Sequence, residues 1–384
     1  MVAEIAEQAR GAGRLAIDTE FMSERRYRAM LCLAQVAVPD ETADGGVRTE
    51  VLDPLADDAP DPAPLAAALA DPAVEVIVHA GRQDVAILRR TWRTDVTNVF
   101  DTQVAAGFVG FGTQEGYKQL VRKVLGTSLP GGEAFTQWDR RPLTPEQLEY
   151  ARGDAAHLLQ LGRELETRLV EAGRLEWARE ECAAVAAASD ERDPDAIYAR
   201  LPRVDRLKPP QRAVARELVE WREGAAREAD RAATSLLPDH VLVELARRRP
   251  ASRDELDSIR GLPEATLHRR HRELLEAIER GREREAPPPA EGGVAPHPDD
   301  APLVALAQAL VRHRSQASGV AAQLIATSPE LTRLVADVRR GGSPELPVLR
   351  GWRRELVGAE LLDLLAGRLT LGVGPDRRLA VRES

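Results

Sequence analysis

The sequence predicts one α/β domain with a mixed sheet, followed by two small all-α domains. Three observations carry this prediction. Strand-like apolar runs alternate with helical stretches up to about residue 165. After Asp154 no convincing strand follows for a long way. Two breaker-rich segments then divide an Ala-, Leu-, Arg- and Glu-rich remainder. The 384 residues also exceed what one ordinary core holds, so several domains are expected.

In chain order, Leu15–Ile17, Met30–Val38 and Val74–His79 read as strands, with a further short one at Val51-Leu52. The turn-rich Pro39–Glu50 fits a hairpin connection. Pro64–Ala70 and Gln83–Thr91 carry helical patterns. At Pro142–Leu161 a helix start is written out: Thr144 as N-cap, Pro145 at the first helical position and Gln147 completing a capping box. Residues 155–190 continue as helix. Ser189–Asp195 and Leu201–Gln211 are breakers. A helical region covers about 205–285, a Pro/Gly linker covers Ala286–Asp300, and a last helical region covers 301–384. The expected domains are therefore 1–190, 205–285 and 301–384.

The composition narrows the class. No apolar window approaches the ~18 residues of a membrane span. The N-terminus lacks a basic region followed by a long apolar core, so no signal peptide is expected. Cys32 and Cys182 lie far apart in apolar or Ala-rich settings and read as buried thiols of a reducing compartment, the cytoplasm. The net charge is −9, and only Lys118, Lys123 and Lys208 are lysine. An acidic total does not favour nucleic-acid binding, which depends on local patches instead.

The chemistry begins at Arg14–Ser23, where Asp18 and Glu20 follow the apolar Leu15-Ala16-Ile17. On a strand, residues two apart share a face, so these carboxylates project together with Thr19 opposite. Side by side they repel and are costly to desolvate, and a divalent cation with its preference for oxygen ligands offsets both. An isolated pair could equally be met by Arg25 or Arg26. Asp84 stands at the start of a helix after the strand and Gly turn of Glu75–Leu88. Alone it reads as helix-start electrostatics worth ~0.3–1 kcal/mol. Tyr150 and Asp154 lie four apart on one helical face, which alone is an ordinary side-chain contact.

Taken together and in this order, Asp18-Thr19-Glu20-Phe21, His79-Ala80-Gly81 leading to Asp84, and the Tyr150/Asp154 pair resemble the DEDD exonuclease superfamily. The match is to its tyrosine-bearing branch, and within that branch to ribonuclease D proteins. Leu31–Val38, Phe100–Ala106 with its DTQ segment, and Gln137–Ala151 are similar to intermediate features of that family. Gln137 departs from it, since an acid commonly precedes the tryptophan, and Leu129–Phe135 lacks a lysine often found there. Leu207–Pro263, with Leu218, Trp221 and Arg222, resembles an HRDC domain. Val348–Gly367 resembles a second, more diverged one.

The resemblance implies a ribonuclease H-like DEDD exonuclease domain followed by two all-α HRDC-type domains. It implies Asp18, Glu20, Asp84, Tyr150 and Asp154 as catalytic residues, the four acids holding two divalent ions, Mg²⁺ or Mn²⁺. A carboxylate set without His or Cys suits such hard ions and argues against zinc. In the family, Asp18 corresponds to the ligand bridging both ions, and Tyr150 to the residue that orients the attacking water. The implied reaction is 3′→5′ hydrolysis of RNA with a free 3′ end, such as tRNA precursors, releasing nucleoside 5′-monophosphates. No membrane and no protein partner are implied, and the protein is expected to act as a monomer.

Two other readings stay open on the sequence: a DNA exonuclease of the same fold, and a non-catalytic RNA-binding scaffold. Residues 205–285 carry 18 Lys/Arg against 17 Asp/Glu. Within them Arg247, Arg248 and Arg249, and Arg269 with Arg270, are candidate phosphate contacts or simply a solvated helical face. Trp221 and Trp352 fall in helical apolar patterns and read as core anchors.

Overall fold

β1 (Arg14–Met22) follows a short amphipathic helix, α1 (Val2–Ala12), which ends at Gly13 in the left-handed conformation. The structure, a computed structural model, describes residues 1–129, 137–288, 297–342 and 344–384. Leu129–Phe135 therefore lies, beyond Leu129, outside the described residues, as do 289–296 of the Ala286–Asp300 segment.

β2 (Met30–Pro39) is apolar on both faces and almost wholly buried, and β3 (Val47–Leu52) pairs with it antiparallel. α2 (Ala63–Leu69), β4 (Glu75–Val78), α3 (Arg82–Trp92) and β5 (Val99–Asp101) follow. The strand order is β3-β2-β1-β4-β5, with β1 parallel to β4 and β4 parallel to β5. The mixed sheet expected from the sequence is present. β5, only three residues long, carried too little apolar pattern to be read as a strand.

α4 (Thr102–Ala106) and α5 (Tyr117–Leu125) lead to the long α6 (Pro145–Glu171) and then α7 (Leu175–Ala186). The capping box of α6 is formed as written: Gln147 N donates to Thr144 Oγ1 at 3.2 Å and Thr144 N to Gln147 Oε1 at 2.8 Å.

The chain divides into two compact units. The first comprises Met1–Glu20, Leu33–Ser189 and the described parts of Gly293–Ser384. The second comprises Phe21–Cys32 and the described parts of Asp190–Gly292.

The second unit holds α8 (Pro194–Ala199), α9 (Pro209–Glu228), α10 (Ala233–Leu236), α11 (Asp239–Arg248), α12 (Arg253–Asp257) and α13 (Glu264–Glu283). Its core gathers Val214, Leu218, Trp221, Leu242, Leu245 and Leu274, so Trp221 is a core residue as expected. Gly281 lets α13 close on α9: a Cβ there would stand 2.7 Å from the Val214 Cα.

The C-terminal part of the first unit consists of α14 (Asp300–Ser318), α15 (Ala322–Ile325), α16 (Ser328–Arg339), α17 (Gly351–Arg353), a π turn (Arg354–Gly358) and α18 (Ala359–Leu365). Its apolar residues Leu310, Leu334, Trp352 and Leu361 belong to one core with Ile77, Phe100, Phe108, Leu158 and Leu165 of the α/β part. Trp352 stacks on Trp177 at 5.4 Å and meets Phe108 edge-on at 5.1 Å, and Arg353 and the Trp352 indole both donate to Glu181.

This part is not all-α. β6 (Leu369–Val373) and β7 (Leu379–Glu383) form an antiparallel hairpin. The expectation of helix alone passed over a signal that is present in the sequence: two short alternating runs on either side of Gly-Pro-Asp.

Candidate active site

The site lies at the carboxyl ends of the parallel strands, where crossover turns leave backbone donors and side chains exposed. β1 and β4 pair from Arg14↔Glu75 to Ala16↔Ile77, so Asp18 and Glu20 lie beyond the last paired residue, beside the turn that ends β4. Both are half-buried.

That turn is His79-Ala80-Gly81. Ala80 is held at φ 52, and a Cβ on Gly81 would stand 2.5 Å from Val78 Cγ2, so only glycine fits there. Asp101, at the end of β5, secures it. Its carboxylate accepts from Ala80 N at 3.1 Å and Gly81 N at 2.9 Å, and caps α4 through Gln103 N at 2.8 Å. Thr102 donates to Val78 O at 3.0 Å, and its hydroxyl lies 2.9 Å from His79 Nδ1. The DTQ segment thus holds the turn that launches α3, and Asp84 sits in the first turn of that helix, buried.

Tyr150 and Asp154 arrive on α6. The helix can press onto β4 because of Gly162, where a Cβ would come 2.8 Å from Ile77 Cγ2. Tyr150 is half-buried, with the Trp138 ring 6.2 Å away and Lys118 Nζ 5.3 Å from its own centroid. Tyr117 Oη donates to the Asp154 carbonyl, fixing the same turn of α6 from α5.

The electrostatics tie the four acids together. Asp18 is pushed well above the usual carboxylate range, first by desolvation and then by Asp84, Glu20 and Asp154. Glu20 rises to about 8 by desolvation, Asp154 and Asp84. Asp84 rises to about 6 by burial, against a hydrogen bond from Thr19 Oγ1 that favours its charged form. Asp154 is also raised by burial, with the Tyr150 hydroxyl, Lys118 and His157 opposing. Burial and Asp154 push the Tyr150 phenol upward.

All five residues expected from the sequence are therefore gathered at one place. No group of three or more His, Cys, Asp or Glu side chains among the described residues stands in a geometry that could hold a metal ion as it is. The chemistry of the donor set, oxygen-only and mutually repelling in a desolvated setting, is what fits a hard divalent cation.

Four supporting residues went unassigned in the sequence: Thr19, Tyr117, Lys118 and Asp101. Asp101 had a signal in its N-cap position before Thr102. The others act across the fold and had none.

The basic clusters are elsewhere, in the second unit. Arg247 and Arg248 pair with Glu244 at 3.4 and 2.6 Å, and Arg270 with Glu273 and Glu228 at 2.9 Å each. Arg249 caps α11 at φ 51, and Arg269 is exposed.

Residues 1–170 match the family model described as 3′-5′ exonuclease, and 211–278 the one described as HRDC domain. A ribonuclease D of Gluconacetobacter diazotrophicus is 36% identical over 97% of this chain and 93% of its own. The chain belongs to the ribonuclease D family. A second ribonuclease D, from Nitrobacter hamburgensis, is 33% identical over the full length of both chains. Among solved structures, Escherichia coli RNase D, described as an exoribonuclease involved in structured RNA processing, matches with TM-score 0.81 and 27% identity, covering 95% of this chain and 96% of its own. Membership of the ribonuclease D family accounts for an exonuclease domain with a mixed sheet joined to an HRDC domain.

Proposed function

We propose that this member of the family is a metal-dependent 3′→5′ exoribonuclease of the tyrosine-bearing DEDD branch. Its products are nucleoside 5′-monophosphates, and its substrates are RNAs with a free 3′ end, among them tRNA precursors and other structured RNAs. The observation that carries the reading is the convergence of Asp18, Glu20, Asp84 and Asp154, four acids from three separate segments, each raised by burial, with Asp84 and Asp154 raising Asp18 and Glu20 further.

Asp18, Glu20, Asp84 and Asp154 would hold two divalent ions, Mg²⁺ or Mn²⁺, which when bound make water more acidic and offset the charge of the scissile phosphate. Tyr150 does not serve as the base. Its phenol keeps its proton throughout the working pH range, because burial and Asp154 oppose ionisation. It donates that proton in a hydrogen bond to the Asp154 carboxylate and offers its oxygen to orient the attacking water. Trp138, buried beside it, keeps bulk water from that side of the ring.

We assign the exonuclease to residues 1–190, an HRDC domain to 205–285, and a second HRDC-like region, with its terminal hairpin, to 301–384. In the second unit, Arg247, Arg248, Arg249, Arg269 and Arg270 are assigned a supporting role at RNA phosphates, which requires Arg247, Arg248 and Arg270 to exchange their present carboxylate partners. The same reading makes the protein a cytoplasmic monomer. No helix of the described residues is long and apolar enough to cross a membrane.

The test is hydrolysis of matched RNA and DNA oligonucleotides with free 3′ ends, with Mn²⁺ or Mg²⁺ and with chelator. Metal-dependent release of mononucleotides from RNA is expected. Preference for DNA would move the assignment to a DNA exonuclease, and no hydrolysis of either would leave an RNA-binding scaffold.

A further inference from the structure

The helix α14 has two unlike faces. Ala307, Leu310 and Val311 are buried in the shared core. Ala309, Arg312, His313, Gln316 and Ala317 recur at i, i+3, i+4, i+7 and i+8, which makes one continuous stripe on the other side. Together with Arg378 and Leu379 of the terminal hairpin, this stripe lines a cleft of about 610 Å³.

The residues of the cleft divide by chemistry. Ala309 and Ala317 leave a flat floor, and Leu379 adds an apolar side. Arg312 and His313 have no side-chain partner among the described residues, whereas Arg314, the next residue along the helix, is committed to Glu360 at 2.7 Å. Arg378 has one acidic neighbour, Asp376, at 3.9 Å, and its side chain is 85% exposed. Two arginines thus face a concave apolar floor, on a chain whose net charge of −9 otherwise repels polyanions.

We propose that this cleft binds one nucleotide unit of the RNA strand, upstream of the 3′ end being hydrolysed. Arg312 and Arg378 take its phosphate, for which the planar guanidinium fork is suited. Ala309, Ala317 and Leu379 receive the apolar face of the base, and Gln316 and His313 supply hydrogen bonds to its edge or to the ribose hydroxyl. The volume lies within the ~300–1,000 Å³ of small-ligand sites, about right for a nucleotide and too small for a folded partner. The inference rests on the exoribonuclease reading, and it adds a second point of contact that long substrates reach and short ones do not.

The full chain carrying R312A and R378A together is compared with wild type on a trinucleotide and on a single-stranded RNA of about twenty nucleotides. Equal melting temperatures confirm that the variant is folded. The expected result is an unchanged kcat/KM on the trinucleotide and a KM about tenfold higher on the long RNA. The dependence of log affinity on log salt should weaken by about 0.7, the value for one phosphate of a single strand. Binding of a fluorescein-labelled long RNA in chelator, read by anisotropy, should weaken likewise. That arm tests the cleft even if wild type hydrolyses nothing, so the two readings fail separately. Lysine at both positions should restore part of the affinity. An unchanged KM and salt slope on long RNA would overturn the proposal. So would a cleft that binds a free nucleoside 5′-monophosphate or inorganic phosphate, dependent on Arg312, while long-RNA affinity stays at the wild-type value.

Discussion

The hydroxyl of Thr19 donates to the carboxylate of Asp84. The pleat of β1 sends Thr19 away from Asp18 and Glu20, yet through this bond the same strand that carries two of the acids also positions a third. Thr19→Val keeps shape and removes the donor. Leaving a buried acceptor unsatisfied should cost about 1–3 kcal/mol and raise the Asp84 pKa further, since the bond favours the charged form. The check is a denaturant melt together with a Mn²⁺ titration. A variant with wild-type stability and wild-type metal affinity would show that Thr19 is idle.

Removing a single acid should silence the enzyme and leave the fold standing. Asp18→Asn and Asp154→Asn are expected to abolish mononucleotide release with no loss of cooperative melting. Tyr150→Phe, which loses the bond to Asp154 and the oxygen that orients the attacking water, should retain a residual rate reduced about 10–100-fold. Full activity of Asp18→Asn with Mg²⁺ would remove that residue from the metal site, and an unchanged rate for Tyr150→Phe would remove Tyr150 from the mechanism.

The acids also predict a pH dependence. Glu20 has its folded pKa raised from 4.5 to about 8. Between those values the folded protein holds a proton that the unfolded chain has released. The slope of stability follows the protons bound by the unfolded minus the folded state, so it is negative and stability falls as pH rises through the window. In chelator the melting temperature of the first unit should drop from pH 5 to pH 8. Mn²⁺ should restore most at the alkaline end, releasing protons as it binds. Glu20→Gln should flatten the chelated curve. A melting temperature indifferent to both pH and millimolar metal is the outcome that contradicts this account.

Gly81 and Trp352 test the scaffold. Gly81→Ala drives a methyl into Val78, and overpacking of this kind costs about 1–3 kcal/mol while tilting the turn that launches Asp84. Its activity should fall further than its stability. Trp352→Ala empties a site between Phe108 and Trp177 and should destabilise the first unit by about 3–5 kcal/mol. Loss of the C-terminal helices alone, with the nuclease transition unmoved, would mean that the core they share is not one cooperative unit.

Much of this molecule was legible in its sequence. The mixed sheet and the capped start of α6 were readable because they depend on local spacing. Asp18, Glu20, Asp84, Tyr150 and Asp154 were singled out only as an ordered set that resembles a family pattern, since period two on a strand, a helix start after a Gly turn and four residues on a helix are each unspecific alone. The terminal hairpin was readable in principle and passed over, its strands being only five residues long. Tertiary structure alone decided which residues support the acids. Thr19 reaches Asp84 across 65 residues, Tyr117 reaches the Asp154 carbonyl across 37, and Gly162 admits α6 to β4 through a contact with Ile77. It also decided that Trp352, legible only as an apolar residue on a helix, completes the core of the α/β part. Hydrophobic periodicity says that a face is buried. It does not say against what, because burial is non-directional and the partner is chosen by packing.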